Sequence, residues 1–439
     1  MFRIGLLITL LLVALPGLAR ATDVQRVVSP GGIEAWLVEE HAIPLISVEA
    51  MFRGGSALDP EGREGLATLA SALINEGAGD YDSEAFLVRL VDRSIRLGAS
   101  ATQDNFTVEV ETLSLHRDVA FEMLGLALSA PRDDPDAIER MRQQLLIAVV
   151  QNERDPNWIA AMTWYETVYP AHPYGRSLDG AAASVDAITR ADLQIFARAR
   201  FARNNLIVAV VGDITPAELA PLLDQTFAAL PADAAPWDLD EAGFANAGAL
   251  RLVARDIPQS VAFFGLPGIK RADPDFYAAY VMNHILGGGS LTSRLTDEIR
   301  EKRGLAYSVY TYLSPLRHGG LHIGSVGTRN DRVAESLDLV RAEFARMRRD
   351  GVSAEELADA KTHLTGAFPL RFDSNDRVAR TLLSMQYNDL GIDYIDQRNG
   401  YIEAVTLDDV NRVAQRLLVS EDLTVVVVGT PAGVEPTMP

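Results

Sequence analysis

Histidine and cysteine are the first side chains to consider for metal binding or covalent chemistry in this 439-residue sequence. The sequence has seven histidines and no cysteine, which excludes disulfides, thiolate zinc sites and a cysteine nucleophile. His318 and His322 stand four residues apart, a spacing that would join them on a helix. The two glycines between them and the Ile-Gly-Ser-Val that follows predict a strand, where residues four apart are about 13 Å distant. We therefore expect no metal site at this pair.

A predicted helix that begins at Leu66 is the second candidate. Residues 54–79 read GGSALDPEGREGLATLASALINEGAG, a glycine-rich strand end followed by a polar turn and an apolar helix. An inverted zinc-peptidase motif, His-x-x-Glu-His, would place two metal ligands and a general base on such a helix. Those positions hold Thr68, Ser71 and Ala72. Hydroxyl groups are poor substitutes for imidazole or carboxylate ligands, and alanine offers no ligand, so we predict no zinc here.

A run of three glycines is the third candidate. Gly287, Gly288 and Gly289 follow an apolar helical segment. They lack the Lys-Ser/Thr ending of a phosphate loop and do not follow a buried strand. The pattern favours a hinge or a substrate-facing turn, where an extended peptide could lie against a sheet edge. We predict these three glycines to be substrate-binding.

An internal repeat organises the chain. Residues 188–214 align without a gap with residues 405–431, at an offset of 217. Each copy begins with a threonine helix cap and an aspartate three residues later. A polar turn and a Val/Ile/Leu run that ends in glycine follow, which predicts a buried strand. The repeat indicates an α+β fold with two similar sheet-plus-helices domains related by duplication.

The predicted domains meet at a Pro/Ala/Asp-rich stretch without sustained periodicity. We place the first domain at residues 23–232, a linker at 233–246 and the second domain at 247–433. Strands are predicted at 45–52, 107–112, 261–266 and 320–327. Helices are predicted at 66–74, 83–97, 118–130, 136–152, 277–286, 331–350 and 354–367.

The N-terminus predicts export. Arg3 precedes an apolar run of about 12 residues, which is too short to span a bilayer, and Ala19-Arg20-Ala21 fits a cleavage site. We predict a cleaved signal peptide at residues 1–21 and, because the exported chain has no cysteine, a periplasmic location. The net charge of −20 argues against nucleic acid as a partner, and no later segment predicts a transmembrane anchor.

Four segments together resemble the pitrilysin/insulinase-type metallopeptidase family, in its two-domain bacterial and mitochondrial-processing branch. They are residues 54–79, the strand ending at Gly212, residues 286–295 (LGGGSLTSRL) and residues 300–307 (REKRGLAY). The resemblance covers essentially the whole chain after residue 21. It implies two domains that form half of a clam-shell.

The resemblance also implies that this chain has lost the metal centre of the family. The ligand positions fall on Thr68 and Ala72, the general base on Ser71, and a third ligand near Ile147 or Ala148. None of these can replace a histidine or glutamate ligand. The resemblance therefore implies a chain without a cofactor, inactive alone, whose zinc lies in a partner subunit that carries His-x-x-Glu-His.

One pair of residues keeps the family pattern. Arg300 and Tyr307 match the arginine and tyrosine that, in relatives, face the metal and hold the substrate backbone. A guanidinium can donate two directed hydrogen bonds to a peptide carbonyl, and a phenol can stabilise an oxyanion. The implied function is a non-catalytic, substrate-binding subunit of a heterodimeric zinc peptidase that degrades peptides or unfolded segments. The alternative is a non-hydrolytic scaffold or peptide-binding protein that uses the same chamber.

Overall fold

The computed structural model describes residues 23–438, so the predicted signal peptide lies outside the described residues. The first half of the chain forms a six-stranded sheet in the spatial order β1-β2-β6-β3-β5-β4. Its strands are β1 (Gln25–Val28), β2 (Glu34–Glu39), β3 (Leu45–Arg53), β4 (Arg96–Ala101), β5 (Asn105–Leu113) and β6 (Leu206–Gly212). Its helices are α1 (Leu66–Ala72), α2 (Ser83–Val91), α3 (Arg117–Ser129), α4 (Pro135–Asn152), α5 (Pro156–Val168), α6 (Ala182–Ala187), α7 (Arg190–Arg200) and α8 (Pro216–Phe227).

The second half repeats this plan with five strands in the order β7-β11-β8-β10-β9. Its strands are β7 (Leu250–Ala254), β8 (Gln259–Pro267), β9 (Ala306–Leu316), β10 (Gly319–Arg329) and β11 (Thr424–Gly429). Its helices are α9 (Phe276–Asn283), α10 (Val333–Asp350), α11 (Ala354–Gly366), α12 (Asn375–Tyr387), α13 (Tyr394–Ala404) and α14 (Leu407–Leu417). Two π-helical turns, His284–Gly288 and Thr296–Glu301, follow α9.

The structure confirms the internal duplication. Thr189 caps α7 and Thr406 caps α14, each in a capping box with the predicted aspartate. The strands that follow occupy equivalent positions, because β6 and β11 each pair parallel with one neighbour and antiparallel with the other. Both strands end in a glycine with positive φ, +143° at Gly212 and +146° at Gly429. The two halves are therefore similar units, as predicted.

Each sheet is covered on one face by its own helices and on the other by a helix from the opposite half. Helix α5 belongs to the first half but packs on the second sheet, where the Trp164 indole donates to the Thr424 carbonyl at 3.0 Å. Helix α12 belongs to the second half but packs on the first sheet, where the Gln386 side chain donates to the Val208 carbonyl at 3.0 Å. This reciprocal exchange interlocks the two halves.

The C-terminal end of one predicted helix is wrong. The helix predicted over 83–97 stops at Val91, and the chain turns at Ser94, whose φ is +53°. The remaining residues enter β4, the edge strand of the first sheet. Pairing with β5 overrides the helical periodicity there. Within residues 23–438, no helix is both long enough and apolar enough to cross a membrane.

Candidate functional site

Helix α1, where the zinc motif would lie, is held in place by a buried carboxylate. The Asp59 side chain is 4% exposed and accepts hydrogen bonds from the backbone N–H groups of Gly65 (3.1 Å) and Ala67 (3.2 Å). Burial raises the pKa of Asp59 to about 7, although these hydrogen bonds act in the opposite direction. Asp59 satisfies N–H groups at the start of α1, whose N-cap residue, Gly65, has a φ of +96°.

The hydroxyl groups at the motif positions donate hydrogen bonds to backbone carbonyls. The Thr68 hydroxyl donates to the Leu178 carbonyl at 2.8 Å, and the Ser71 hydroxyl donates to the Thr68 carbonyl at 2.8 Å. Ala72 offers only a methyl group. Near the third ligand position, Ile147 on α4 is 58% exposed. No group of three or more His, Cys, Asp or Glu in the described part of the chain could hold a metal ion.

Arg300 and Tyr307, by contrast, lie close together. Arg300 is in the π-helical turn Thr296–Glu301, and Tyr307 is the second residue of β9. Between them the chain turns at Gly304, whose φ of +60° is easily adopted by glycine. The Arg300 guanidinium carbon lies 5.4 Å from the centre of the Tyr307 ring, and the Tyr307 side chain is 87% exposed. The pair is preformed and accessible.

Ion pairs fix the turn that carries Arg300. Glu298 accepts hydrogen bonds from Lys302 (2.6 Å) and Arg303 (2.5 Å), and these bonds hold the pKa of Glu298 below its usual range. Lys302 also pairs with Asp297 at 2.7 Å. Asp297 is thus engaged by another cation, and among the described residues the one carboxylate that contacts Arg300 is Glu301, at a looser 3.5 Å. The guanidinium remains available to a ligand.

The absence of side chains at Gly287, Gly288 and Gly289 allows neighbouring groups to pack closely against the backbone. A Cβ at Gly287 would lie 2.4 Å from the Thr311 hydroxyl and 2.8 Å from its backbone nitrogen. A Cβ at Gly289 would lie 2.7 Å from the His284 carbonyl, and one at Gly288 would lie 2.5 Å from the Asn283 side-chain nitrogen. The glycines therefore have a packing role that the sequence did not indicate. Their predicted role in substrate binding stays a prediction.

A buried polar network joins the glycine turn to the second sheet. The Asn283 amide oxygen accepts hydrogen bonds from the Thr311 hydroxyl at 2.8 Å and from the His322 ring at 3.0 Å. His322 is 1% exposed, and burial lowers its pKa to about 4. A neutral histidine thus ties α9 to β9 and β10. His322 lies in a strand, as predicted, and is a structural residue.

The two predicted sites belong to different halves of the chain. Thr68, Ser71 and Ala72 lie on α1, against the first sheet, whereas Arg300 and Tyr307 adjoin β9 at the edge of the second sheet. No hydrogen bond or ion pair between residues 23 and 438 joins the two sets. A reaction centre that used Arg300 and Tyr307 would need its metal from elsewhere, because α1 supplies no ligand.

The duplicated sheet-and-helix fold is shared with relatives of zinc peptidases. Residues 187–364 match the family described as "Peptidase M16 inactive domain". A protein from Streptomyces coelicolor named an uncharacterized zinc protease is 30% identical over 316 residues, which cover 70% of this chain and 67% of that protein. The chain belongs to the M16 peptidase family and carries its inactive domain, as the pitrilysin-like resemblance predicted.

Two further relatives cover nearly the whole chain. A protein from Helicobacter pylori named non-peptidase homolog YmxG is 28% identical over 426 residues, or 96% of this chain and 98% of that protein. A crystal structure of a peptidase M16 inactive domain from Pseudomonas fluorescens superposes with a TM-score of 0.88 at 27% identity, covering 94% of this chain and 99% of that one. The match to an inactive domain agrees with the prediction that this chain holds no cofactor.

Proposed function

We propose that this chain is the substrate-binding subunit of a heterodimeric zinc peptidase. Its partner carries His-x-x-Glu-His and supplies the zinc and the general base. A bound zinc ion would polarise a peptide carbonyl and activate water. Arg300 holds the substrate backbone by directed hydrogen bonds, and Tyr307 donates to the oxyanion that develops on the attacked carbonyl.

One observation carries this proposal. Tyr307 is 87% exposed at the start of an edge strand, and Arg300 lies over its ring at 5.4 Å. An aromatic side chain with no protein covering it, held beside a cation that lacks a tight carboxylate partner, is suited to a ligand or to another chain. Residues that only stabilised the sheet would be buried against it.

The experiment reconstitutes the pair with a zinc-bearing relative and measures cleavage of a fluorogenic peptide. Arg300→Ala and Tyr307→Phe should each lower kcat/KM of the complex about 100-fold, as loss of one transition-state donor does. Assembly, followed by size-exclusion chromatography, should not change. Tyr310→Phe, in the same strand and 45% exposed, and Arg255→Ala, on an exposed loop, are the matched controls. Wild-type turnover in both test variants would remove the proposed role.

A non-hydrolytic scaffold is the second candidate, and the name of the Helicobacter relative, a non-peptidase homologue, favours it. A scaffold would hold a peptide or a neighbouring protein inside the clam-shell without cleaving it. Co-purification from the native host decides between the two functions. A partner with His-x-x-Glu-His supports the peptidase complex, whereas stable partners without that motif support the scaffold.

We propose that the chain acts in the periplasm, on the basis of residues 1–21. Cell fractionation with an antibody against the chain tests this location. A mature protein in the periplasmic fraction that begins near Thr22 is the expected result. A cytoplasmic protein that retains Arg3 would contradict it.

A further inference from the structure

A cavity of about 530 Å³ lies between α9, α12 and α13, a volume within the range of small-molecule sites. Within residues 23–438, five arginines line it and no aspartate, glutamate or lysine does. We call it the arginine pocket, after Arg271, Arg371, Arg377, Arg380 and Arg398. The chain as a whole carries 60 acidic and 40 basic residues, so this local excess of positive charge runs against the bulk composition.

Three of the five guanidinium groups have no carboxylate partner within residues 23–438. Arg377 pairs with Asp373 and Arg380 pairs with Asp376, and both aspartates lie outside the pocket lining. Arg271, Arg371 and Arg398 make no ion pair with a described residue. The pocket therefore carries positive charge that its own side chains do not neutralise.

Of the three arginines, Arg398 gives the strongest evidence for an anion-binding site, because it is only 4% exposed. Its guanidinium donates to the Leu364 carbonyl at 2.7 Å and to the Asn399 side-chain oxygen at 3.0 Å. Both acceptors are neutral. Burying a cation without a counter-ion is unfavourable, and buried charges are normally paired, so an anionic ligand would supply the partner that Arg398 lacks.

Aromatic rings form the other part of the lining. Arg271 lies 4.1 Å from the Phe276 ring centre and donates to the hydroxyls of Tyr277 (2.9 Å) and Tyr394 (3.2 Å). Arg398 lies 4.4 Å from the Phe368 ring centre. These contacts hold the guanidinium planes by cation–π attraction without neutralising them. The arginine pocket therefore combines positively charged guanidinium groups with an apolar aromatic lining.

We propose that the arginine pocket binds an organic carboxylate that carries an aromatic or aliphatic group. The planar guanidinium fork matches the two oxygens of a carboxylate, and the rings accept the apolar body of the ligand. A peptide C-terminus and an acidic side chain beside an apolar residue both have this chemistry. The pocket shares no residue with Arg300 or Tyr307, so the proposal goes beyond the proposed function and is independent of any zinc-bearing partner.

Isothermal titration of the purified chain tests the proposal with three probes. Acetyl-Ala-Ala-Phe with a free carboxylate should bind at least tenfold more tightly than its C-terminal amide, and its affinity should fall as salt is added. Acetyl-Ala-Glu-Phe amide separates the two sources. Binding of this probe as tight as that of the free acid assigns a side-chain carboxylate, and weaker binding assigns the C-terminus.

Substitutions of pocket arginines test whether the free acid binds in the arginine pocket. Arg371→Gln changes an exposed arginine without a described partner, so the fold should be retained, and it should weaken binding of the acid at least fivefold. Arg271→Gln should act in the same direction. Arg255→Gln, outside the pocket, removes the same charge and should change the affinity less than twofold.

Three results would each overturn the proposal. The first is equal binding of the acid and its amide, and the second is no binding of any probe. The third is competition by inorganic phosphate as strong as that by the acid. Failure here would leave the proposed peptidase role untouched, because that role is measured by turnover with a zinc-bearing partner and not by binding to the chain alone.

Discussion

Thr68 and Ser71 stand where the family resemblance implies a zinc ligand and the general base, and both make structural hydrogen bonds. Each hydroxyl donates to a backbone carbonyl at 2.8 Å: Thr68 bonds to Leu178 in a distant loop, and Ser71 bonds to Thr68 within α1. Arg300 and Tyr307 differ, because Arg300 has no carboxylate closer than Glu301 at 3.5 Å among residues 23–438, and Tyr307 is exposed. The absence of zinc ligands on α1 and the Arg300/Tyr307 pair could be recognised from the sequence, whereas the Thr68–Leu178 hydrogen bond could not, because the two residues are 110 positions apart.

Thr68→Ala should lower the free energy of unfolding by about 1 kcal/mol, the usual net value of one hydrogen bond, because the bond joins α1 to a distant loop. Ser71→Ala is the matched control. Its hydroxyl bonds within its own helix, where alanine is the better helix former, so its effect should stay within about 0.5 kcal/mol. Urea unfolding measures both values. A Ser71→Ala effect as large as that of Thr68→Ala would contradict the tethering role.

At the scale of elements, the contact between β3 and α12 contains a charged group in an unusual setting. Glu49 on β3 is 3% exposed and faces Glu109 on β5 and both Asp376 and Arg380 on α12. Burial, with a smaller contribution from Glu109, raises the pKa of Glu49 to about 8, while Arg380 acts in the opposite direction. The folded state therefore binds a proton at Glu49 that the unfolded chain releases near pH 4.

The raised pKa of Glu49 determines how the stability of the fold changes with pH. The folded state holds more protons than the unfolded state between about pH 4 and pH 8, so this group makes stability fall as pH rises through that window. Glu49→Gln should flatten the loss of stability between pH 5 and pH 8, measured by urea unfolding at each pH. Glu61→Gln, an exposed carboxylate, should leave the slope unchanged. An unaltered slope in Glu49→Gln would contradict this account of the contact.

Sequence patterns predicted some elements well and others poorly, for physical reasons. The capping boxes at Thr189 and Thr406 and the apolar runs after them are local signals, so the repeat was predicted correctly. The end of the helix predicted over 83–97 was wrong, because β4 forms by pairing with β5. Helices α5 and α12 cross to the opposite sheet, and an apolar helix face does not encode which sheet it covers.

At the scale of the whole molecule, the exchange of α5 and α12 makes each sheet depend on the other half. Trp164 and Leu382 are both fully buried, the first against the second sheet and the second against the first. Unfolding either half would therefore expose the core of the other. The molecule should behave as one cooperative unit.

Leu382→Ala tests this coupling. The substitution should cost about 2–5 kcal/mol, as is typical of a large-to-small change in a core, and calorimetry should still show a single transition. Leu115→Ala, at a leucine that is 75% exposed, should cost less than about 0.5 kcal/mol. Two separated transitions, with only the first half destabilised, would contradict the interlocking of the halves.

The central claim is a division of labour between this chain and a zinc-bearing partner, and one measurement tests it most directly. Metal content and peptide cleavage are determined for the purified chain alone and for its mixture with a His-x-x-Glu-His relative. We predict no stoichiometric zinc and no cleavage for the chain alone, and cleavage by the mixture that exceeds that of the relative alone. One tightly bound zinc per chain, with cleavage in the absence of any partner, would contradict the account.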